Sequence, residues 1–320
     1  MTRLGWAVTT HFAVLGIGLT MLLHPTPTLL WNASASVPIG LYAVYPPTVL
    51  HVGDKEPVQI KVVRDIIHVP TILGDTRNKD GSWNYFLEGH DRIGYVRIST
   101  FSDRTAEDLR RVLRRLAAAG RLRGLVLDLR NDPGGYLDAA IEVCRMLIQP
   151  GVIVTTRGRG GALRETYRAD EPGAFTGFPM AVLVNQDTAS AAEIVAACLQ
   201  DQHRAAIVGQ RSYGKGTVQE VVDLGKPYGA MKFTTKSYWR PSGKNIQRPS
   251  KDSAAGDWGV SPDQGDDVPF DSEEFIQWQL WRRWRDAFHP GGSDRAPENK
   301  PFVDRQLLRA VESVEKQVAP

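Results

Sequence analysis

Two short and almost wholly apolar runs constrain the fold of this chain more than any other feature. They are residues 124–129, Gly-Leu-Val-Leu-Asp-Leu, and residues 180–184, Met-Ala-Val-Leu-Val. Continuous apolar runs of this length are typical of strands that are buried on both faces, as in a parallel sheet. Each run is followed by a break and then by a predicted helix, at residues 137–147 and 188–199. Strands that alternate with helices predict an α/β body with helices packed against a sheet.

The rest of the chain continues this alternation. Further strands are predicted at residues 93–98, 152–155 and 205–208, an amphipathic helix at 106–118, and a late hairpin at 218–222 and 232–237. An alternating stretch at 58–69 predicts one more strand. Residues 241–269 are predicted to be loop, and two helices are predicted after it, at 272–288 and 304–317. For the helix at 188–199, Asp187 or Thr188 is the expected N-cap.

Composition excludes several classes of protein. The chain has 320 residues, of which 42% are hydrophobic and 23% charged, as in an ordinary folded protein. A disordered chain and a multi-span membrane protein are therefore excluded. The net charge is only +3, so we expect no nucleic-acid partner. Cys144 and Cys198 lie in predicted helices and are expected to be buried thiols, although one disulfide remains open. The histidines lack metal-ligand spacing, so we expect neither a metal nor a cofactor.

The amino terminus carries an apolar segment. Residues 4–23 contain no charged side chain and are about long enough to cross a bilayer. Arg3 precedes the segment, and no charged side chain follows it before Asp54. The positive-inside bias then places the amino terminus in the cytoplasm. We predict a single-pass anchor over residues 1–24 in a bacterial cell membrane, with the body facing the periplasm or exterior. A signal peptide cleaved near Ala33-Ser34-Ala35 is the alternative.

A serine and a lysine stand where chemistry is expected. Ser190 lies near the start of the predicted helix at 188–199, where backbone N–H groups favour developing negative charge. Lys215 lies in a Gly-Lys-Gly sequence after the predicted strand at 205–208. A lysine that has lost its proton can act as a general base toward a serine hydroxyl. Gln219 could orient the lysine amine, since a Ser-Lys pair held by a third group is a known nucleophile arrangement.

Five motifs, in this order and spacing, make that pairing specific. They are residues 93–101, Ile-Gly-Tyr-Val-Arg-Ile-Ser-Thr-Phe; 127–135, Leu-Asp-Leu-Arg-Asn-Asp-Pro-Gly-Gly; 188–194, Thr-Ala-Ser-Ala-Ala-Glu-Ile; 209–219; and 238–247 with its Pro-Ser-Gly. Over residues 55–263 the chain resembles the carboxy-terminal processing, or tail-specific, serine peptidases of family S41. The resemblance implies a crotonase/ClpP-like α/β core at 90–265, with a C-terminal helical extension at 266–320. It also implies cleavage of proteins or peptides near their carboxyl end without a metal.

The resemblance also assigns roles to individual residues. Ser190 matches the nucleophile, Lys215 the general base, and Gln219 the residue that orients the lysine. The backbone N–H groups of Gly134 and Ala191 match the oxyanion hole. Outside this set, the residues themselves suggest a buried structural pair, Asp128 with Arg130, and a carboxylate that supports the start of the helix, Glu193.

The region before residue 90 departs from that family. Residues 55–69 resemble only the closing strands of a PDZ domain, so we expect a truncated PDZ remnant and linker at 55–89. Residues 31–54, within the stretch 25–54, resemble instead the start of the conjugative-transfer (TraF-type) signal peptidases of family S26. In that family Ser36 would match the nucleophile. No counterpart of its general-base lysine is found, so we interpret this stretch as a juxtamembrane stalk.

Three functional interpretations follow. The first is a membrane-anchored serine endopeptidase of the carboxy-terminal processing type. The second is a membrane-anchored binding module whose catalysis is impaired by the truncated PDZ domain. The third is nucleotide binding, since residues 209–215 fit G-x-x-x-x-G-K. There Gly216 replaces the hydroxyl residue that would hold magnesium, which argues against a phosphate-binding loop.

Overall fold

The computed structural model describes residues 29–32, 40–43, 69–225, 229–249, 256–287 and 302–318. The chain divides into two compact units, residues 1–67 and 68–320. In the first unit, β1 (Leu29–Asn32) and β2 (Gly40–Ala43) form an antiparallel pair. The predicted anchor at 1–24, Ser36, and the predicted strand at 58–69 up to residue 68 lie outside the described residues. Within the described part of the chain, no helix combines the length and apolar character needed to cross a membrane.

A central sheet forms the middle of the second unit. Its strands in chain order are β3 (Ile72–Leu73), β6 (Phe86–Leu87), β7 (His90–Ile98), β8 (Gly124–Asp128), β11 (Met180–Val184) and β12 (Ala206–Gly209). The spatial order is β12-β11-β8-β7-β3, with β6 also paired to β7. β7, β8, β11 and β12 run parallel. Every residue of β8 and β11 is buried, which confirms the prediction made from their apolar runs.

Helices cover both faces of this sheet. One face packs against α1 (Thr105–Ala118), α2 (Leu137–Leu147) and α3 (Ala191–Asp201). The other face packs against α5 (Arg305–Val318). Neighbouring residues of one strand therefore belong to different cores, as the alternation of side chains along a strand requires. In β8, for example, Leu125 and Leu127 lie in the first core and Val126 in the second.

A second sheet is antiparallel and more exposed. It consists of β9 (Gly151–Arg157), β10 (Leu163–Ala169), β13 (Thr217–Gly225) and β14 (Gly229–Trp239), in the order β10-β9-β14-β13. The predicted late hairpin is confirmed as β13 and β14. The strand β10 was not predicted, because most of its side chains are polar or exposed and show no apolar periodicity. The small pair β4 (Thr76–Arg77) and β5 (Trp83–Asn84) completes the strands.

The helix that follows β11 begins later than predicted. α3 begins at Ala191 and its N-cap is Ser190, so the expected cap, Asp187 or Thr188, is wrong. The Thr188 hydroxyl instead donates to the Leu129 carbonyl at 2.8 Å and accepts the Asn185 N–H at 2.9 Å. Because that hydroxyl closes a turn between two loops, it is not available to cap the helix.

Both predicted C-terminal helices are present in the same compact unit as the sheet. α4 (Ser272–Asp286) begins with Asp271, whose carboxylate accepts two backbone N–H groups of the first turn. Trp278, on this helix, is buried. On α5, Val311 and Val314 are buried, whereas Leu308 is 53% exposed. Cys144 and Cys198 are buried free thiols.

Candidate active site

Three loops at the carboxyl ends of adjacent parallel strands form the candidate site. β8 leads into residues 129–136, β11 into 185–190, and β12 into 210–216. Since β8 pairs with β11 and β11 with β12, all in parallel, the three loops emerge at the same edge of the sheet. Such an edge is the usual place for a site in an open α/β sheet. The loops carry Gly134, Ser190 and Lys215, respectively.

Ser190 has an unusual backbone conformation at the start of α3. Its φ is 58° and its ψ is −117°, values that a residue with a side chain rarely adopts. The next residue, Ala191, is buried, and its N–H has no hydrogen-bond partner among the described residues. An unpaired N–H at a helix N-terminus is a suitable donor to a developing negative charge.

Glu193 connects the Ser190 loop to the Lys215 loop. Its side chain is fully buried on α3 and accepts four hydrogen bonds. Oε2 accepts the backbone N–H of Ser190 at 2.9 Å and that of Lys215 at 2.7 Å. Oε1 accepts the Ser212 hydroxyl at 2.5 Å and the Gly214 N–H at 2.7 Å. The backbone nitrogens of Ser190 and Lys215 thus bond to the same oxygen, Glu193 Oε2. The distance between the two nitrogens therefore cannot exceed the sum of 2.9 Å and 2.7 Å.

The electrostatic state of Glu193 follows from its burial and these bonds. Burial raises the pKa of the Glu193 carboxyl, because the charged form loses its hydration. The four donors oppose that effect by stabilising the carboxylate, and the net pKa remains above its usual value. The predicted role of Glu193 at the helix start is thus part of a larger one, since the same carboxylate orders the backbone around the lysine.

Gly134 fits directly against the Ser190 backbone. Its φ is 92°, and a Cβ atom at this position would lie 2.7 Å from both the Ala189 carbonyl oxygen and the Ala191 nitrogen. Any side chain here would collide with the loop that carries Ser190. The Gly134 carbonyl is fixed from the other side, since it accepts the Phe101 N–H at 2.9 Å and the Thr100 hydroxyl at 2.7 Å.

The N–H of Gly134 is engaged by a neighbouring side chain. It donates to Asp132 Oδ1 at 2.8 Å. Asp132 is fully buried, and its Oδ2 has no hydrogen-bond partner among the described residues. Burial raises the pKa of the Asp132 carboxyl to about 8, with the Gly134 N–H acting in the opposite direction. Of the two predicted oxyanion donors, only Ala191 is therefore unpaired in this structure.

The side chains of the predicted catalytic residues are not hydrogen-bonded to one another. Ser190 and Lys215 are both half-buried, and among the described residues no hydrogen bond joins either side chain to the other. Gln219 is exposed on β13, just after a register shift between Val218 and Gln219. No hydrogen bond links its amide to Lys215. The structure thus brings the backbones of Ser190 and Lys215 to one carboxylate oxygen, and Gln219 is hydrogen-bonded to neither of their side chains.

Asp128 and Arg130 form the buried structural pair that the sequence suggested. Arg130 Nη2 lies 2.7 Å from Asp128 Oδ2, and the Tyr95 hydroxyl donates to the same oxygen at 2.6 Å. Burial alone would raise the pKa of Asp128, but the Arg130 guanidinium and the hydrogen bonds hold it below its usual value. Arg130 also lies 2.9 Å from Asp304, just before α5. The pair supports the strand end from which the Asp132 turn begins.

Two features of the site were not predicted from the sequence. They are the buried carboxyl of Asp132 and the hydrogen bonds of Glu193 to residues 212–215. A glutamate three residues after a serine is a capping-box signature, and it could have identified Ser190 as the N-cap. The contacts of Glu193 with residues 212–215 have no local signature, because they depend on how two loops meet. In the sequence, Asp132 could be recognised only as one residue of the Asn-Asp-Pro-Gly-Gly turn.

Comparison with known proteins gives the family. The family model of peptidase family S41 matches residues 92–264. That match covers more than half of the chain and includes all three loops of the site. This chain therefore belongs to peptidase family S41.

Individual relatives agree with that assignment. A carboxy-terminal-processing protease of Bartonella bacilliformis is 41% identical over 205 residues, which are 62% of this chain and 44% of that protein. A chloroplastic C-terminal processing peptidase of Tetradesmus obliquus is 38% identical over 172 residues, 54% of this chain and 34% of that protein. The chain thus spans less than half the length of these two relatives.

A solved structure with the same fold is the photosystem II D1 C-terminal processing protease. It superposes with a TM-score of 0.51 at 30% sequence identity, covering 70% of this chain and 54% of that one. The predicted α/β peptidase fold is confirmed by this match together with the observed sheet.

Proposed function

We propose that this protein is a serine endopeptidase that cleaves protein substrates near their carboxyl end, with Ser190 as nucleophile and Lys215 as general base. The observation that carries the proposal is the shared Glu193 oxygen, which holds the backbone N–H groups of both residues. The unpaired Ala191 N–H beside the serine supports it. The names of the relatives, all carboxy-terminal processing enzymes, support the substrate class.

The proposed reaction is acyl transfer through a tetrahedral intermediate. The neutral Lys215 amine accepts the proton of the Ser190 hydroxyl while Oγ attacks the carbonyl carbon of the scissile peptide bond. The resulting oxyanion accepts the N–H groups of Ala191 and Gly134. Lys215 then gives its proton to the leaving amine, and the same residue activates the water that hydrolyses the acyl-enzyme.

The site must tighten before this reaction begins. Catalytic hydrogen bonds are often long in unliganded sites and shorten when substrate binds. We propose that substrate binding moves the amine of Lys215 onto the hydroxyl of Ser190 and brings the Gln219 amide to the lysine. The exposed position of Gln219 on an edge strand leaves it free to make that movement.

We further propose that residues 1–24 anchor the enzyme in a bacterial cell membrane, with the peptidase body facing the periplasm or exterior. The uncharged segment 4–23 supports the anchor. Residues 55–89 would then serve as a PDZ remnant and linker. Full-length protein should require detergent for extraction from membranes, whereas protein lacking residues 1–24 should not; extraction of both without detergent contradicts the anchor.

Substitution of the proposed dyad tests the proposed function. Ser190→Ala and Lys215→Ala should each lower the cleavage of an unfolded protein by at least about 10³-fold, because groups that act as a unit fail together. Both variants should also lose labelling by a fluorophosphonate probe. Ser36→Ala is the matched control and should keep the rate. Loss of cleavage in Ser36→Ala, with activity kept in Ser190→Ala, would place the reaction in the signal-peptidase-like stretch.

A further inference from the structure

Asp132 is a buried carboxyl group beside the oxyanion donors to which the reaction above gives no role. An ionised carboxylate that is fully buried needs partners for both of its oxygens. Asp132 has one, the Gly134 N–H on Oδ1 at 2.8 Å, while Oδ2 has none among the described residues. A neutral carboxyl group fits this environment better, with its proton on Oδ2 and its Oδ1 free to accept the N–H.

The peptide plane that carries this N–H is held by Asp132 alone. The next plane along the chain, which contains the Gly134 carbonyl, is fixed by the Phe101 N–H and the Thr100 hydroxyl. The plane between Pro133 and Gly134 has no other hydrogen bond within the described part of the chain. The state of Asp132 therefore decides how firmly the second oxyanion donor is held.

Neighbouring charged groups do not alter the preference of Asp132 for its neutral form. The charged groups on the elements around Asp132 are Asp103 and Arg104 after β7, Asp128 at the end of β8, Arg130 in its own loop, Asp138 on α2, Asp187 and Glu193 on either side of Ser190, and Arg211 and Lys215 after β12. Asp128 is paired with Arg130, and Glu193 is bound by four donors. None of these groups contributes to the raised pKa of Asp132, which burial causes and the Gly134 N–H opposes.

We propose that Asp132 is a positioning residue of the oxyanion site and that the peptidase works while Asp132 carries its proton. Neutral Asp132 orients the Gly134 N–H and releases it to the oxyanion when the tetrahedral intermediate forms. Ionised Asp132 holds the same N–H by a charge-assisted bond, which is about twice as strong. It also places a negative charge beside the developing oxyanion. This role rests on the proposed function, and Asp132 itself transfers no proton to the substrate.

The variant Asp132→Asn separates this role from a merely structural one. Asparagine has the same shape and keeps an oxygen for the Gly134 N–H, but it does not ionise. We would measure kcat/KM of both proteins on one fluorescence-quenched peptide from about pH 6 to about pH 10. The ratio of variant to unchanged protein cancels every ionisation that the two proteins share. It should be flat below about pH 7 and rise toward roughly tenfold per pH unit at the alkaline end.

Asp187→Asn is the matched control, because it removes an exposed carboxyl from the loop just before Ser190. Its ratio to the unchanged protein should be flat at every pH. A flat ratio for Asp132→Asn, with the variant folded by circular dichroism, overturns the role of Asp132. Should that variant not fold, the unchanged protein still decides: ionisation of Asp132 must oppose any gain in activity in the alkaline range, so kcat/KM must stop rising above about pH 8 while the protein remains folded, and a rate that keeps rising to about pH 10 overturns the proposal.

The same measurements distinguish this inference from the proposed function. If Ser190→Ala abolishes cleavage but the Asp132→Asn ratio is flat, only the inference fails. If Ser190→Ala cleaves the peptide at the unchanged rate, the proposed function fails and the role of Asp132 fails with it.

Discussion

Glu193 offers two carboxylate oxygens to four donors, and no neutral side chain of the same shape can satisfy all of them. Three of the donors are backbone N–H groups, of Ser190, Gly214 and Lys215, which cannot turn into acceptors. Only the Ser212 hydroxyl could reverse its role, and it already accepts the Val260 N–H at 2.7 Å. The carboxylate therefore sets the positions of both loops.

Glu193→Gln should both destabilise the protein and inactivate it. Wherever the new NH₂ group points, it faces at least one backbone N–H, so at least one buried donor loses its partner. Each such loss costs about 1–3 kcal/mol. We expect the free energy of unfolding to fall by about 2–4 kcal/mol and kcat to fall with it, since the serine and lysine loops separate. Urea unfolding and peptide cleavage measure the two effects.

Glu142→Gln is the control for that substitution. Glu142 lies on the surface of α2, where its ion pair with Arg145 is largely exposed to solvent. Exposed pairs contribute little, so its unfolding free energy should change by less than about 1 kcal/mol and its activity should stay. Equal stability losses in the two variants would show that Glu193 has no special part in holding the loops.

At the scale of elements, the turn at 131–135 was predicted from the sequence as a break, but its contact with the Ser190 loop was not. The sequence Asn-Asp-Pro-Gly-Gly predicted a sharp break after β8, and the structure has one. That Gly134 touches the Ser190 loop follows only from the parallel pairing of β8 with β11, which no local pattern encodes. The resemblance to the peptidase family indicated Gly134 as a site residue, whereas the hydrogen bond that the Gly134 N–H donates to Asp132 is visible only in the structure.

Gly134→Ala should abolish catalysis through a steric clash between the turn and the start of α3. The added Cβ would lie 2.8 Å from the Ser190 Cβ and 2.7 Å from the Ala191 nitrogen. Relief of that contact must move Ser190 or the turn, and small displacements of reacting groups cost about 10²-fold or more in rate. The check is kcat on a fluorescence-quenched peptide.

Gly120→Ala is the control that separates the effect of a steric clash from the effect of backbone strain at a positive φ. Gly120 also has a positive φ, 72°, but a Cβ there would meet nothing within 4 Å. It should cost about 1 kcal/mol of stability and leave kcat unchanged. If Gly134→Ala behaved like Gly120→Ala, the turn would not pack against Ser190 as the structure has it.

Helices and strands with a clear apolar periodicity could be predicted from the sequence. Features that depend on contacts between distant residues could not. α2 has the predicted bounds, residues 137–147, because its apolar spacing and flanking turns agree. The start of α3 was misplaced because Thr188 bonds to the distant Leu129 carbonyl. The position of Gln219 was likewise hidden, since a register shift in the β13–β14 pair leaves it on the exposed part of the strand.

At the scale of the whole unit, the sheet separates two cores of unequal size. The larger core lies under α1, α2 and α3, next to the loops of the site. The smaller one is closed by α5, which places Ala310, Val311 and Val314 against the other face of β8, β11 and β12. A side chain on Gly124, at the start of β8, would collide with Val314. α5 therefore packs closely against the sheet.

This fit predicts that the last helix is needed for the folding of the whole unit. Val314→Asp would bury an unpaired carboxyl group in the smaller core and remove the packing of valine, at a cost of about 3–5 kcal/mol. Leu308→Asp, on the exposed side of the same helix, should change the unfolding free energy by no more than about 0.5 kcal/mol. Because β8, β11 and β12 also carry the site, Val314→Asp should lower the urea midpoint of the entire transition and reduce cleavage in proportion to the folded fraction. A variant in which only α5 detaches, with a normal midpoint and normal activity for the rest, would make the helix an appendage and contradict the shared core.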